Sequence, residues 1–211
     1  MIRTLLRFSH LSLVIAVLIQ GVGCASEPRS VATGFLRDYS RLEMDGKGRA
    51  RFLDARLAEY DSFIVDPIEV RIPRGRMSEE DLAVAVVYFR DSLSGMIERQ
   101  GLTVTDDPGV KVGRIRTALT NIGQTTWGGT LYAVRPALGT AGAAMEAEVC
   151  DSITGEQLAA VVQVATGDQF DVGTFSALDD LKAAINKWTS DASDRLVELR
   201  ERAKRGDVGR R

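Results

Sequence analysis

Two antiparallel strands are predicted by one stretch of the chain, Ala143–Val164, which reads AAMEAEVCDSITGEQLAAVVQV. In its first half, apolar side chains alternate with Glu146 and Glu148, and this period of two is typical of a half-buried strand. We expect both glutamates to face solvent and the alternate side chains to face the core, namely Met145, Ala147 and Val149. Turn residues at 151–156 then reverse the chain into a second apolar run, so the two strands are predicted to be neighbours.

Two amphipathic helices are predicted on either side of these strands in the sequence. The first begins after Ser78, a favourable N-cap residue ahead of three acidic residues, and ends at about Gln100, before Gly101. The second begins at Ser176 and carries Trp188 near its middle. Apolar residues at i, i+3, i+4 and i+7 form one stripe on each helix, which is typical of helices that cover a sheet. The stripes comprise Leu82, Ala85, Val86, Phe89, Leu93, Met96 and Ile97 on the first helix, and Leu178, Leu181, Ile185, Trp188, Ala192, Leu196 and Leu199 on the second.

Further strands are predicted before and after the first helix. Residues 62–72 form an extended and largely buried run, in which Pro67 indicates a bulge or an edge position. Arg114 and Arg116 share one side of a strand, where they can pair with the two glutamates across neighbouring strands in a structural role. The remaining strand candidates are residues 102–105, 110–122 and 131–134. We therefore predict an α+β fold with a mainly antiparallel sheet of about four to five strands, packed by two long amphipathic helices.

A second apolar face is present on the first half of the helix that follows Ser78. Val84, Val87 and Tyr88 lie outside the main stripe, so this face needs a cover. One alternative is a partner protein, for which these three residues would form the contact surface. The other is the segment that contains Phe35, whose large apolar side chains must pack somewhere. We favour the internal cover.

The N-terminus predicts export and attachment to a membrane. Arg3 and Arg7 precede an uncharged, mostly apolar stretch that ends in Gly21-Val22-Gly23-Cys24. This stretch is shorter than a membrane-spanning helix requires, so we interpret it as a signal peptide that is removed, with Cys24 as the acylated first residue of the mature chain. Ala25 after the cysteine favours the outer membrane, on its periplasmic side. The alternative is cleavage after Ala25, which would release a soluble periplasmic protein.

Four parts of the chain follow from this interpretation. They are a signal peptide at 1–23, a lipidated N-terminus with a short tether at 24–33, a single α+β domain at 34–200 and a basic tail at 201–211. We expect the tail to be solvated, and to be disordered past Gly206. The formal net charge of the whole chain is −2, which gives no electrostatic basis for binding nucleic acid.

Few residues in the mature chain are suited to catalysis. The only histidine, His10, is lost with the signal peptide, so neither a Ser-His-Asp nor a Cys-His site can form, and the commonest transition-metal ligand is missing. Cys150 is then the only cysteine without an acyl group, and its acidic neighbours disfavour the thiolate. Trp188 lies on a core stripe, where a packing role is expected. We therefore predict no enzymatic activity, no cofactor and no metal site.

Scattered short motifs carry a resemblance to a known family. They are Gly34-Phe35-Leu36, Asp38-Tyr39-Ser40, Leu42, Asp66-Pro67, Asp151-Ser152, Thr154-Gly155-Glu156 and Trp188. Together they resemble the bacterial lipoprotein family called domain of unknown function 3313, over most of the mature chain from Gly34 to about Leu199. The resemblance implies an exported, usually lipid-anchored, single α+β domain, and it implies no particular reaction or ligand.

Two classes of function remain open. The first is a non-enzymatic binding or accessory subunit of a cell-envelope assembly, held to the membrane by acyl chains on Cys24 and bound to an envelope protein. The second is a periplasmic small-ligand binder, or a histidine-free enzyme that uses carboxylates in a groove near Asp66, Tyr88 and Trp127. A deep pocket with buried acids would favour the second class, whereas a flat apolar patch around Val84 and Tyr88 would favour the first.

Overall fold

A mixed β-sheet lies at the centre of the molecule. The computed structural model describes residues 33–44, 49–71, 77–122, 143–165 and 177–206. Within these ranges the strands are β1 Glu43–Met44, β2 Arg49–Leu53, β3 Ser62–Val65, β4 Glu69–Val70, β5 Thr103–Val104, β6 Val112–Ile122, β7 Ala143–Asp151 and β8 Gln157–Ala165. They form a sheet of eight strands in the order β1-β2-β8-β7-β6-β3-β5, and β4 pairs with β6. The helices are α1 Glu79–Arg99 and α2 Ala177–Lys204, and a short 3-10 helix spans Ala55–Glu59.

The strands β7 and β8 form the antiparallel pair that the sequence predicts. Ala147 on β7 lies opposite Val161 on β8, and on its other side it lies opposite Thr117 on β6. The turn between the two strands favours a glycine, because Gly155 has a φ of 72°, in the left-handed region that other residues rarely adopt. The pair is therefore fixed both by its pattern of burial and by its turn.

The prediction of four to five mainly antiparallel strands is only partly correct. β3 is parallel to both β5 and β6, and β4 is parallel to β6, because α1 lies between β4 and β5 and returns the chain in the same direction. The predicted strand at 62–72 is interrupted between Val65 and Glu69, where Pro67 cannot donate a hydrogen bond. The strands that the sequence analysis did not predict are β1 and β2, which have two and five residues, whereas β4 and β5 lie within the predicted ranges 62–72 and 102–105. The candidate strand at 131–134 lies outside the described residues.

The two predicted helices are confirmed. The side chain of Ser78 accepts a hydrogen bond from the backbone N of Asp81 and caps α1, and Gly101 follows its end with a φ of 71°. The α2 helix continues to Lys204, so the first four residues of the predicted basic tail are helical. Residues 207–211 lie outside the described ranges.

The two faces of the sheet are covered by different parts of the chain. The helices α1 and α2 pack on one face through the predicted stripes, and this core includes Phe89, Leu181, Ile185 and Trp188. Residues 33–42, here called the N-terminal segment, pack on the opposite face through Phe35 and Leu36. The expectation that this segment covers the second apolar face of α1 is therefore wrong.

Candidate functional site

Glu146 and Glu148 are buried, contrary to the expectation that they face solvent. Their exposed fractions are 0% and 1%. The predicted alternation along β7 is itself correct, because the two side chains point away from the core beneath the helices. The outer face of the sheet is nevertheless covered by the N-terminal segment, and a period of two identifies a face without showing what lies on it.

Glu148 joins the N-terminal segment to the sheet. Its Oε2 accepts hydrogen bonds from the backbone N of Arg37 at 2.9 Å and from Nε2 of Gln157 at 2.8 Å. Arg116 lies directly opposite on β6 and donates from Nη1 to Oε1, which forms the ion pair expected from the sequence. A buried carboxylate with this set of donors stabilises the fold as long as every partner is present.

Glu146 also joins the N-terminal segment to the sheet, through the side chain of Tyr39. The Tyr39 hydroxyl donates to Oε2 of Glu146 and accepts from the backbone N atoms of Phe35 and Leu36, at 2.9 and 3.1 Å. Burial raises the pKa of the Glu146 carboxyl, and the hydrogen bond from Tyr39 opposes that shift. Burial, followed by the hydrogen bond to Glu146, raises the pKa of Tyr39. The two glutamates are thus part of the fold of the N-terminal segment.

Cys150 lies on the same face of β7 and is buried. Burial, and secondarily the charge of Glu148, raises the pKa of its thiol to about 11, in the direction expected from its acidic neighbours. Arg114 lies opposite Cys150 on β6, and it pairs with Asp66 at 2.7 Å rather than with either glutamate. The thiol is therefore neither accessible nor activated.

The motif residues that resemble the family have structural roles in this fold. Asp38 Oδ1 accepts hydrogen bonds from the backbone N and the hydroxyl of Ser40, at 2.8 and 2.7 Å, and shapes the N-terminal segment. Asp151 accepts from the backbone N of Thr154 and from the Tyr60 hydroxyl, both at 2.7 Å. These bonds, led by that from the Thr154 backbone, lower the pKa of Asp151 to about 2. The motifs therefore specify turns and packing.

The second apolar face of α1 is open among the described residues. Val84 and Val87 are 43% and 60% exposed. Tyr88 is half-buried, and its hydroxyl donates to Oδ1 of Asn186 on α2 at 2.7 Å. The ammonium group of Lys182 lies 5.6 Å from the centre of the Tyr88 ring. Polar side chains of α2 thus border this face at Tyr88.

The predicted groove near Asp66, Tyr88 and Trp127 is not formed by the described residues. Asp66 pairs with Arg114 on the outer face of the sheet, whereas Tyr88 lies on α1, on the other side of the sheet. Trp127 lies outside the described residues. The expected groove assumes that Asp66 and Tyr88 lie on the same side of the sheet. The sequence carries no information about which side each residue occupies.

An apolar cavity of about 190 Å³ lies between the sheet and the helices. Its floor includes a row of residues across four strands, in the order Arg51, Val161, Ala147 and Thr117. Its walls include Phe89, Leu93, Met96, Ile97, Trp188 and Leu196. Sequence analysis did not identify this cavity, because the residues that line it follow the same stripes as a filled core.

Charged residues border the cavity between β2 and α2. Nη1 of Arg49 and Nε2 of Gln163 both donate to Oδ2 of Asp191 on α2, each at 3.1 Å. Arg51 and Arg195 also line this side. The cavity therefore combines an apolar interior with a polar border, as small-molecule sites commonly do.

Two further properties concern membranes and metals. Neither helix in the described ranges combines the length and the apolar character that crossing a membrane would require. Within the same ranges, no three or more His, Cys, Asp or Glu side chains are grouped so that they could bind a metal ion. Cys24 and the predicted signal peptide lie outside the described residues.

Several solved structures have a distant likeness to this fold. A neuraminyllactose-binding hemagglutinin homolog from Helicobacter pylori is 12% identical, with 78% of this chain and 96% of that chain covered and a TM-score of 0.43. PelC from Paraburkholderia phytofirmans, a dodecamer, is 11% identical, with 66% and 93% covered and a TM-score of 0.41. Lipoprotein GNA1162 from Neisseria meningitidis is 11% identical, with 62% and 96% covered and a TM-score of 0.34. Likenesses at this level do not indicate a function, and among curated proteins no significant match is found.

A family model gives a closer relationship. The model described as "Protein of unknown function (DUF3313)" matches residues 31–192, from just before the N-terminal segment to well within α2. The match therefore includes the sheet, α1 and the motifs that carry the resemblance in the sequence, which confirms that resemblance. The chain belongs to the family described as Protein of unknown function (DUF3313).

Proposed function

We propose that this protein is an outer-membrane lipoprotein on the periplasmic side, anchored through Cys24, and that it acts as a non-enzymatic binding or accessory subunit of a cell-envelope assembly. The alternative form is a soluble periplasmic protein released by cleavage after Ala25. In either form the α+β domain is the part that binds the partner.

The packing of the N-terminal segment is the observation that carries this proposal. Phe35 and Leu36 are 3% and 5% exposed on the outer face of the sheet. The guanidinium carbons of Arg71 and Arg116 lie 5.1 and 4.8 Å from the centre of the Phe35 ring, within the range of a cation–π interaction. The segment is therefore an integral part of the domain rather than a flexible tether.

Only a short connection then separates the domain from the predicted anchor. Eight residues, 25–32, and therefore nine residue-to-residue steps, separate Cys24 from Thr33, where the described chain begins. At roughly 3.3–3.6 Å per residue, a fully extended connection reaches at most about 30 Å. Acyl chains on Cys24 would hold the domain within that distance of the bilayer, which suits a subunit that works beside the membrane.

The chemistry of the described residues supports a binding role. Glu146 and Glu148, which have the most deeply buried carboxylates, are engaged by the N-terminal segment, and the thiol of Cys150 is buried. The exposed face of Val84 and Val87 offers an apolar contact surface for an envelope protein. The cavity supports a second candidate function, the binding of a small ligand.

The anchor is tested by labelling with radioactive palmitate. We expect the wild-type chain to incorporate the label and to sediment with membranes, and the Cys24→Ser chain to do neither, because no thiol is left at the acylation position. Cys150→Ser is the matched control, since it removes the other cysteine and should leave labelling unchanged. Equal labelling of wild type and Cys24→Ser would contradict the anchor.

The partner surface is tested with the double variant Val84→Ser, Val87→Ser in the membrane-bound chain. We expect its free energy of unfolding to stay within about 0.5 kcal/mol of wild type, because both side chains are exposed. An envelope protein that co-purifies with wild type should be lost from this variant. The control is Val110→Ser, Ile153→Ser, at two positions that are 83% and 63% exposed, and it should retain that protein. Retention by both variants would contradict the assignment of this face.

A further inference from the structure

We propose that the N-terminal segment is releasable: it can leave the outer face of the sheet while the rest of the domain stays folded, and its release lengthens the connection to the anchor. In the docked position, nine residue-to-residue steps separate Cys24 from Thr33. After release, the free chain would continue to Glu43, where β1 begins, for nineteen steps in all. At roughly 3.3–3.6 Å per residue, the greatest reach increases from about 30 Å to about 65 Å. The lengthening rests on the proposed anchor, whereas the release does not.

The apolar contacts of the segment form a cluster that is separate from the main core. Its buried members are Phe35 and Leu36 of the segment and Ala118, Ala160 and Val162 of the sheet. The main core lies on the other face, between the sheet and the two helices. Removing the segment would therefore leave the contacts of the main core in place. A part of a protein with few buried contacts of its own can open before the whole domain unfolds.

Side chains, rather than a strand ladder, fasten the segment to the sheet. The bonds of Arg37 and Tyr39 to the two buried glutamates are described above. In addition, Nη1 of Arg37 donates to the backbone O of Gly155, and Nη1 of Arg41 donates to the backbone O of Gln157, each at 3.1 Å. No residue of the segment is part of a strand, so the paired backbone bonds that hold strands together are absent from this contact.

The face beneath the segment is suited to water as well as to the segment. Glu146, Glu148 and Arg116 lie on this face, and their charged groups would be hydrated after release. The buried apolar residues that the sheet contributes to the cluster are two alanines and one valine, which are small. An antiparallel sheet commonly has one solvated face, and the alternation along β7 is of that kind. Release would therefore expose little apolar surface of the sheet, and a folded domain is compatible with both positions of the segment.

Native-state hydrogen exchange on the full chain with Cys24→Ser tests the release, because the substitution removes the acylation site and makes the result independent of the anchor. The backbone N–H of Arg37 reports the segment, since it bonds to the Glu148 carboxylate. The slowest amides of β7 and β8 report global unfolding. We expect the Arg37 amide to exchange at least about 100-fold faster than those strand amides. Its rate should also rise less with added urea, because opening the segment exposes less surface than unfolding the domain.

Two variants separate release of the segment from global unfolding. Ile97→Val trims a buried side chain of the main core, so it should speed the slowest strand amides about 2- to 10-fold and leave the Arg37 amide unchanged. Phe35→Ala should speed the Arg37 amide at least about 10-fold, because it removes a buried ring of the segment. Equal acceleration of the Arg37 amide and the strand amides by Ile97→Val would overturn the proposal. An Arg37 amide that Phe35→Ala does not affect, or one with the same urea dependence as the strand amides, would also overturn it.

The change in reach is tested by neutron reflectometry with the acylated chain on a supported bilayer of phosphatidylethanolamine and phosphatidylglycerol. We expect the domain of the double variant Phe35→Ala, Leu36→Ala to lie farther from the bilayer than that of wild type, because both buried side chains of the segment are gone. The control is Val110→Ser, Ile153→Ser, at exposed positions outside the segment, and it should keep the wild-type distance. An unchanged distance for the Phe35 and Leu36 variant would overturn the change in reach. Dissociation of the wild type from the bilayer would instead contradict the anchor, and with it the change in reach, while the exchange experiment still decides the release.

Discussion

Replacing Trp188 with alanine is expected to lower the free energy of unfolding by about 3–5 kcal/mol, the usual cost of truncating a buried aromatic side chain. Trp188 is 1% exposed, and its ring lies 5.9 Å from that of Phe89 at an angle of 35°. The loss should fall in the upper part of this range. The space left by the indole would join the adjacent cavity, and a larger residual void costs more than one into which neighbours can relax.

The measurement is urea denaturation followed by circular dichroism, with the slope of the transition compared between variants. Val197→Ala is the control on the same helix, because Val197 is 41% exposed and its truncation should change stability by no more than about 0.5 kcal/mol. An unchanged midpoint for Trp188→Ala would mean that α2 does not pack on the sheet through this stripe.

The helices could be predicted because their signals are local. Ser78 caps α1 with its own side chain, and Gly101 supplies the positive φ after the end of that helix. The apolar stripe that contains Phe89 on α1 and the one that contains Trp188 on α2 both repeat at helical spacing. The pairing of β7 with β8 is also local, since the turn at Gly155 lies between them. These features depend on residues close together in the chain, so one sequence is sufficient to identify them.

The burial of Glu146 and Glu148 could not be predicted, because it depends on a distant segment. Arg37 is 111 positions from Glu148 in the chain, and Tyr39 is 107 positions from Glu146. The alternation along β7 correctly separated the two faces of the strand. An alternating glutamate is usually solvated, and only the packing of Phe35 on this face shows that these two are enclosed.

Of the two candidate sites, the face on α1 could be identified from the sequence and the cavity could not. Val84 and Val87 lie outside the main stripe of α1, so the sequence identified them as a separate face, but it did not show that this face is exposed. The cavity depends on how closely α2 approaches the sheet at Ala147, which is a matter of a few ångströms. Periodicity assigns residues to a face but carries no information about the distance between two packed elements.

Replacing Arg116 with methionine is expected to cost about 3 kcal/mol at neutral pH. The side chain of Glu148 has no exposure, so removal of the guanidinium would leave a buried carboxylate with only the longer ion pair to Arg37, at 3.8 Å. The cost should lie at the low end of the range for broken buried ion pairs, because Arg116 is itself 24% exposed and Gln157 and the backbone N of Arg37 would still donate to Glu148. Methionine keeps an unbranched stem beside Phe35, so the measured loss reports the charge rather than the packing.

Arg114→Met is the matched control for this prediction, because Arg114 lies two residues away on the same face of β6. Its partner Asp66 and its own side chain are 24% and 34% exposed, so the loss should be no more than about 1 kcal/mol. Glu148→Gln should cost less than Arg116→Met, since Arg116 can reach water and also lies 3.8 Å from Glu69. In the double variant the two changes should be non-additive, because no buried charge is left unpaired. Equal losses for Arg116→Met and Arg114→Met would show that the stability of the buried Glu148 carboxylate does not depend on Arg116.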